Sequence, residues 1–358
     1  MIAIIGAGPI GNYCAYLLSK AGKNVYVFEK NTKIGIPMRC TGIITKSINE
    51  IIKVPKSVIV NRMKKVRVVA PNGRELIIPN DDIIIDRTKF DCWLKEKGEK
   101  VGAKYFIGYE FLGYSNGKIR VKKNGKIKYF ECDSLIGADG PNSCVAKVIG
   151  LRCVTNYYCG AQATVKYSFP INEYSVFLGS KISPDFFGWI VPEGKGVCRI
   201  GVASKKKSGV YFKKFLKKLN INSNNIIGYQ GGLIPIFNSK AYIQKGNVFL
   251  VGDSATQVKA TTGGGIVPGM KCANKLVDVL IKGGNYNNSK FLKLSINFKI
   301  RQIMNKFNDN DYNKLVSILD GCSDIFSKYS RDEPFKLGLK LLIRRPSLAI
   351  LGLKVLFN

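Results

Sequence analysis

The first thirty residues constrain the fold more tightly than any other stretch of the chain. An apolar run, Ile2–Ile5, leads into the loop Gly6-Ala7-Gly8-Pro9-Ile10-Gly11, a helical segment extends to about Lys20, and a second apolar run, Val25–Phe28, ends in Glu29. This order predicts a βαβ unit that opens a parallel sheet. Its three glycines have separate duties. Gly6 permits a tight turn, Gly8 lets a pyrophosphate approach the backbone, and Gly11 lets helix and strand pack closely. The helix N-terminus, with Ile10 in its first turn, offers unpaired N–H groups and a partial positive charge, so the phosphates need no lysine. Glu29 follows Gly11 by 18 residues, where a carboxylate accepts hydrogen bonds from both ribose hydroxyls of an adenosine and disfavours a 2′-phosphate.

Beyond this unit the pattern changes period. Short β-like runs, Val66–Ala70, Leu76–Ile78 and Ile83–Ile85, are separated by turn residues such as Pro71-Asn72-Gly73. A helix is expected from about Asp86, with Phe90, Trp93 and Leu94 on one side, and further strands run to Leu135-Ile136 and Gly137-Ala138-Asp139-Gly140. Residues 151–240 read as mostly β, a late apolar strand Val248–Val251 meets Gly252-Asp253, and the tail from about 286 reads as helical. The alternation implies a nucleotide-binding domain interrupted twice by a sheet-based domain.

Composition removes whole classes of chemistry. The 358 residues contain no histidine, which excludes Ser-His-Asp and Cys-His nucleophile systems, His-ligated zinc and imidazole acid–base catalysis. Ten cysteines form no CxxC pair, so no metal site is expected, and the opening strand with no preceding leader reads as cytoplasmic, with reduced thiols. No run of 18 apolar residues occurs, so no bilayer-spanning helix is expected. The balance of 57 basic against 24 acidic residues, a formal charge of +33, suits an anionic membrane surface or nucleic acid. The 45 lysines are spread along the chain, and neither a stacked-aromatic signature nor a helix-turn-helix accompanies them, which argues against nucleic acid.

Four separated motifs resemble those of FAD-dependent oxidoreductases of the para-hydroxybenzoate hydroxylase fold. They are the glycine turn with Glu29, the Asp86-Arg87-Thr88-Lys89-Phe90-Asp91 segment, Gly137-Ala138-Asp139-Gly140-Pro141, and Gly252-Asp253-Ser254-Ala255 followed by Gly263-Gly264-Gly265-Ile266. Two further segments resemble the geranylgeranyl reductases: Ile34-Gly35-Ile36-Pro37-Met38-Arg39-Cys40-Thr41-Gly42, and Pro184-Asp185-Phe186-Phe187-Gly188-Trp189-Ile190-Val191-Pro192. In the second, Phe187 stands where that family has Tyr, Val191 where it has Phe, and the following Gly201-Val202-Ala203 ends in Ala rather than Gly.

The resemblance implies an α/β chain, α+β overall. A Rossmann-like FAD-binding domain (1–50, 86–150, 241–285) would be interrupted by a mainly antiparallel β-sheet substrate domain (51–85, 151–240), with a C-terminal helical segment at 286–358. It implies that Gly6, Gly8, Ile10, Gly11, Glu29, Arg39, Cys40, Thr41, Arg87, Asp139, Asp253, Gly264, Gly265 and Ile266 contact FAD. It also implies a catalytic place for Cys40, and for Trp189 and Phe187 on an apolar tunnel. The implied activity is saturation of isoprenoid double bonds in archaeal-type ether lipids, with electrons from ferredoxin or a reduced nicotinamide cofactor. An isolated trisubstituted alkene accepts hydride poorly, so a proton must arrive with it, from Cys40, a tyrosine or water. The rival readings are a flavin monooxygenase of the same fold and a non-enzymatic basic flavoprotein.

The segment Phe335–Asn358 places Lys336, Lys340 and Arg344 at four-residue spacing among leucines, ahead of Pro346 and the apolar run Leu348–Phe357. Two placements fit it: helices peripheral to the inner face of a membrane, or helices packed over the substrate domain.

Overall fold

The computed structural model describes residues 1–38, 40–151 and 153–356. Arg39, expected at the cofactor, and Phe357, at the end of the final apolar run, lie outside the described residues.

Ile2–Ile5 is buried on both faces, as its unbroken apolar run requires, and forms a central strand of a six-stranded sheet. Val25–Glu29 and Lys104–Ile107 extend the sheet on one side, Ser134–Gly137 and Val248–Leu250 on the other, all in parallel; the two-residue strand Gln244–Lys245 closes the edge antiparallel. The helix Pro9–Lys20 follows the first strand directly and packs against the helices Arg87–Lys100 and Ile266–Lys282. Asp86 caps Arg87–Lys100, its carboxylate accepting the Lys89 N–H at 3.0 Å.

A seven-stranded sheet stands apart from the first. Its order is Ile226–Pro235, Tyr157–Lys166, Val197–Ser204, Phe187–Gly194, Glu173–Phe177, Lys65–Val69 and Glu75–Pro79, antiparallel except where Glu173–Phe177 meets Lys65–Val69. Alternation gives it two faces. Ala163, Val165, Ile190, Ile200 and Val202 pack under the helix Ser208–Lys218 through Phe212 and Phe215. This helix interrupts the stretch read as mostly β, because its apolar residues recur every three or four positions and need a sheet face to cover. Trp189, Val191, Ala203 and Tyr174 lie on the opposite face, toward the first sheet.

The chain ends in helices Leu292–Met304, Asp309–Leu319, Ser323–Lys328, Pro334–Arg344 and Ser347–Leu356, of which the second and third pack on the edge strand Glu75–Pro79. Among the described residues, no helix is long and apolar enough to cross a membrane.

Candidate active site

A single cleft of about 1230 Å³ runs from the glycine turn, between the two large sheets, to the C-terminal helices. Its volume exceeds the roughly 300–1,000 Å³ of an ordinary small-ligand pocket, which leaves room for a long cofactor and a second ligand.

The nucleotide end is built from backbone. Gly6 has φ +100°, and a Cβ there would lie 2.6 Å from the Ala138 carbonyl oxygen; one on Gly11 would lie 2.0 Å from the Gly6 oxygen. Gly8 differs, because a Cβ there meets nothing within 4 Å. The three glycines thus divide into two that the chain itself crowds and one that keeps the cleft open. Glu29 is braced by the turn, Oε2 accepting the Ala7 N–H at 2.9 Å and Oε1 the Asn31 N–H at 2.8 Å. Each oxygen keeps a lone pair for a ribose hydroxyl. Ile10 packs its side chain against Gly252 and Gly269, so only its backbone N–H is available to a ligand.

At the middle of the cleft, Arg87 grips Asp91 through Nε at 3.2 Å and through an Nη at 2.9 Å, and both residues line the cavity. Burial works against the Arg87 charge, but the Asp91 carboxylate and the neighbouring Cys40 thiol outweigh it and raise its pKa. Ser143 caps the short helix Cys144–Val148, and Asp139 Oδ2 accepts the N–H groups of Cys144 and Val145, while its buried Oδ1 has no hydrogen-bond partner among the described residues. Asp253 lines the cleft where the next glycine turn begins. Burial pushes its carboxyl up to about 6, with Arg87 opposing. A Cβ on Gly265 would lie 2.9 Å from Asp253 Oδ1, so this carboxylate and the N-terminus of the helix Ile266–Lys282 share one wall. Gly264, Gly265 and Ile266 also line the cleft. These residues fit FAD: an open pyrophosphate path, a braced ribose acceptor, an orphaned carboxylate oxygen and a helix N-terminus.

Cys40 lies on the same wall, its Sγ accepting the Gly42 N–H at 3.3 Å. Thr41 donates its hydroxyl to Gln162 Oε1 at 2.8 Å, and Trp189 Nε1 donates to the same oxygen at 2.8 Å. The Cys40 loop and the Trp189 strand, far apart in sequence, therefore meet. Phe187 stacks on Phe186 at 4.1 Å between centroids and stands edge-on to Trp189 at 6.1 Å. With Val66, Val176, Leu178 and Ile234 they wall an apolar chamber.

Several cleft residues escaped the sequence reading. Gln162 is one. Arg301 is another: buried, it donates to the carbonyls of Ala260 and Thr261 and lies 4.8 Å over the Phe186 ring. At the chamber's far end Arg331 contacts Asp82 and Tyr174, and Asp332 pairs with Lys259 and Ser47. Burial opposes ionisation of Asp332, but Lys259 outweighs it and holds the carboxyl well below its ordinary range. Through these contacts the segment 327–331 and Leu337 become part of the cleft wall. Among the described residues there is no group of acids and cysteines suited to a metal ion.

A family of NAD(P)-binding Rossmann-like domains matches residues 4–48. The chain is 27% identical to digeranylgeranylglycerophospholipid reductase 1 of Methanosphaera stadtmanae, an alignment covering 99% of this chain and 96% of that protein. A solved structure from Thermoplasma acidophilum, described as geranylgeranyl bacteriochlorophyll reductase-like, superposes with a TM-score of 0.83 at 22% identity over 98% of each chain. A flavin-dependent halogenase superposes with a TM-score of 0.69 at 13% identity, covering 96% of this chain and 77% of the other. The expected Rossmann-like α/β architecture is the one found.

Proposed function

We propose that this chain, a homologue of the digeranylgeranylglycerophospholipid reductases over nearly all of its residues, is an FAD-dependent oxidoreductase that saturates isoprenoid double bonds in geranylgeranyl chains of ether lipids or their precursors. One observation carries the reading: a single cleft joins the glycine turn to an apolar, aromatic-walled chamber, with the Cys40–Thr41 loop at the junction. Segments 1–50, 86–150 and 241–285 hold the cofactor, and 51–85 with 151–240 hold the substrate.

Bound FAD supplies the hydride. The chain's own residues do the rest. Glu29 and the first turn of the opening helix anchor the adenosine and phosphates, while Arg87, Asp139 and Asp253 flank the path toward the ring. Gly265 and Ile266 would present backbone N–H groups where reduction deposits negative charge, while Gly264, whose N–H donates to Thr262 Oγ1 at 3.4 Å, would shape the turn that leads to them. Trp189 and Phe187 hold the polyprenyl chain and exclude water, and alignment of this kind lowers a barrier by on the order of 7–11 kcal/mol. Cys40 stands where a proton donor is needed. An external reductant, ferredoxin or a reduced nicotinamide cofactor, restores the cycle.

The helix Pro334–Arg344 supports a working place at the inner face of a membrane. Its Leu337 lines the cleft, while Phe335 and Ile343 are 66% and 65% exposed beside Lys336, Lys340 and Arg344. Each such cation is worth about 1 kcal/mol near an anionic leaflet. Co-sedimentation with anionic but not zwitterionic vesicles is the expected outcome.

Anaerobic incubation of the dithionite-reduced protein with geranylgeranyl ether lipid, read by mass spectrometry, tests the activity. Gains of two mass units per double bond support it, whereas oxygen-dependent hydroxylation moves the chain to the monooxygenase reading. Cys40→Ser is expected to keep FAD and to slow or retarget saturation; an unchanged rate and product pattern returns the thiol to packing.

A further inference from the structure

One row of cleft-facing positions crosses the large sheet with a gap at its centre. Gln162 and Trp189, on different strands, are both in register with Gly201 of the strand between them. A Cβ on Gly201 would lie 2.5 Å from Trp189 Cζ2 and 2.7 Å from its Cε2, so the indole occupies the space over the glycine and its Nε1 reaches Gln162. Gln162 is only 6% exposed, and its Oε1 accepts from both Trp189 and Thr41, which fills both lone pairs. Its Nε2 donates to Gln230 Oε1 at 2.7 Å, in register on the next strand, and this fixes which way the amide points.

Thr41 is held a second time. Its carbonyl accepts from an Nη of Arg199 at 2.7 Å, and Arg199 pairs with Glu193. Cys40 follows, because its sulfur receives the N–H of Gly42, the residue after Thr41.

We propose that Gln162 is a positioning residue of the reductive site, tying the Cys40–Gly42 loop to the Trp189 indole so that loop and chamber wall move as one body. The inference rests on the reductase reading of the cleft and deepens it. Losing the tie misplaces both the loop beside the cofactor and the wall against which the alkene lies. Gln162 acts through Thr41 and Trp189 and takes no part in the transfer of hydride or proton.

The test uses the holoprotein and three variants. The chain has two tryptophans, Trp93 and Trp189, so its nitrogen-15 spectrum contains two indole N–H signals. Gln162→Leu is expected to shift the Trp189 signal and speed its exchange with solvent, to leave the Trp93 signal and FAD content unchanged, and to lower kcat by on the order of 100-fold with little change in KM. Thr41→Val lowers kcat comparably, and combining the two adds little, because they break one connection. Gln162→Glu keeps an acceptor for both donors and, with the Gln230 amide turned so that its Nε2 meets the new carboxylate, retains the indole signal and most of the rate.

An unmoved Trp189 signal with kcat within about twofold of wild type overturns the proposal, as does a kcat loss wholly explained by lost FAD or unfolding. A wild-type chain that binds FAD yet saturates no isoprenoid overturns the reductase reading alone. In that case the indole signal still decides whether Gln162 ties loop and wall.

Discussion

The two ends of the cleft are built by different means. At the nucleotide end, consecutive residues fold back on themselves, and the surface offered to a ligand is mostly backbone N–H with one braced carboxylate. At the chamber end most contacts are made by side chains, and the partners come from segments up to 285 residues apart, as with Ser47 and Asp332. A backbone site tolerates almost no substitution at its crowded glycines. A side-chain site distributes its geometry over many small contacts, so single losses there cost less and change shape more than occupancy.

The sharpest way to break this contrast is at the glycines. Gly11→Ala puts a methyl 2.0 Å from the Gly6 oxygen, so it is expected to cost about 3 kcal/mol of stability and to abolish FAD retention, read by thermal melting and visible absorbance. Gly8→Ala has open space around its new methyl and is expected to melt within about 1 kcal/mol of wild type while still losing FAD. If both variants melt alike, the division between crowded and open glycines is wrong.

A smaller effect is expected at the chamber. Asp82 is 5% exposed and accepts from Arg331, Tyr174 and Asn80, so Asp82→Asn leaves Arg331 without its counter-charge. Arg331 retains access to solvent, which limits the loss to about 1–3 kcal/mol, with FAD content unchanged. Loss of FAD in this variant would show that the two ends are not independent.

An effect of similar size, but one that appears only as pH changes, lies between them. With its carboxyl raised from 3.8 to about 6 by burial, the folded chain binds the Asp253 proton more tightly than the unfolded chain does. That contribution to stability is complete below the unfolded pKa and disappears as pH rises through about 6. The flavin-free protein should therefore lose on the order of 1–3 kcal/mol from this group between about pH 4 and pH 7, and Asp253→Asn should flatten that interval. Bound FAD should shrink the loss, since a ligand hydroxyl donating to Asp253 favours the charged form. Parallel wild-type and variant melting curves would remove Asp253 from the cofactor wall.

What could be read from the sequence follows the same division. The βαβ opening, the tight turn at Gly6, the close packing at Gly11 and the place of Glu29 at the end of the second strand were legible because each depends on residues within one turn or one crossover. The helix Ser208–Lys218 was missed although Phe212, Phe215 and Leu216 carry its period, because the β-rich stretch around it set the expectation. Gln162 left no signal beyond a polar residue on a strand whose alternate positions, Ala163 and Val165, are apolar. Its meaning depends on Gly201 and Trp189 falling in one register, which only sheet pairing decides. The Arg331 and Asp332 contacts left none at all, since nothing local to an exposed-looking Arg-Asp-Glu run points to partners at 82 and 259. The C-terminal helices were read as either membrane-facing or packed on the sheet. The helices Pro334–Arg344 and Ser347–Leu356 pack on the other C-terminal helices rather than on the sheet, and Pro334–Arg344 turns Leu337 inward while leaving Phe335 and Ile343 outside.

Because Arg331 and Leu337 complete the enclosure and Asp332 anchors their segment, the part of the chain that closes the chamber leaves the ribosome after everything it encloses. During synthesis the nucleotide-holding sheet can form, and can be filled, while the hollow beside it is still open to the surroundings. Completing the nucleotide end therefore need not wait for residue 337 to dock, and the last segment made is the one that seals the hollow.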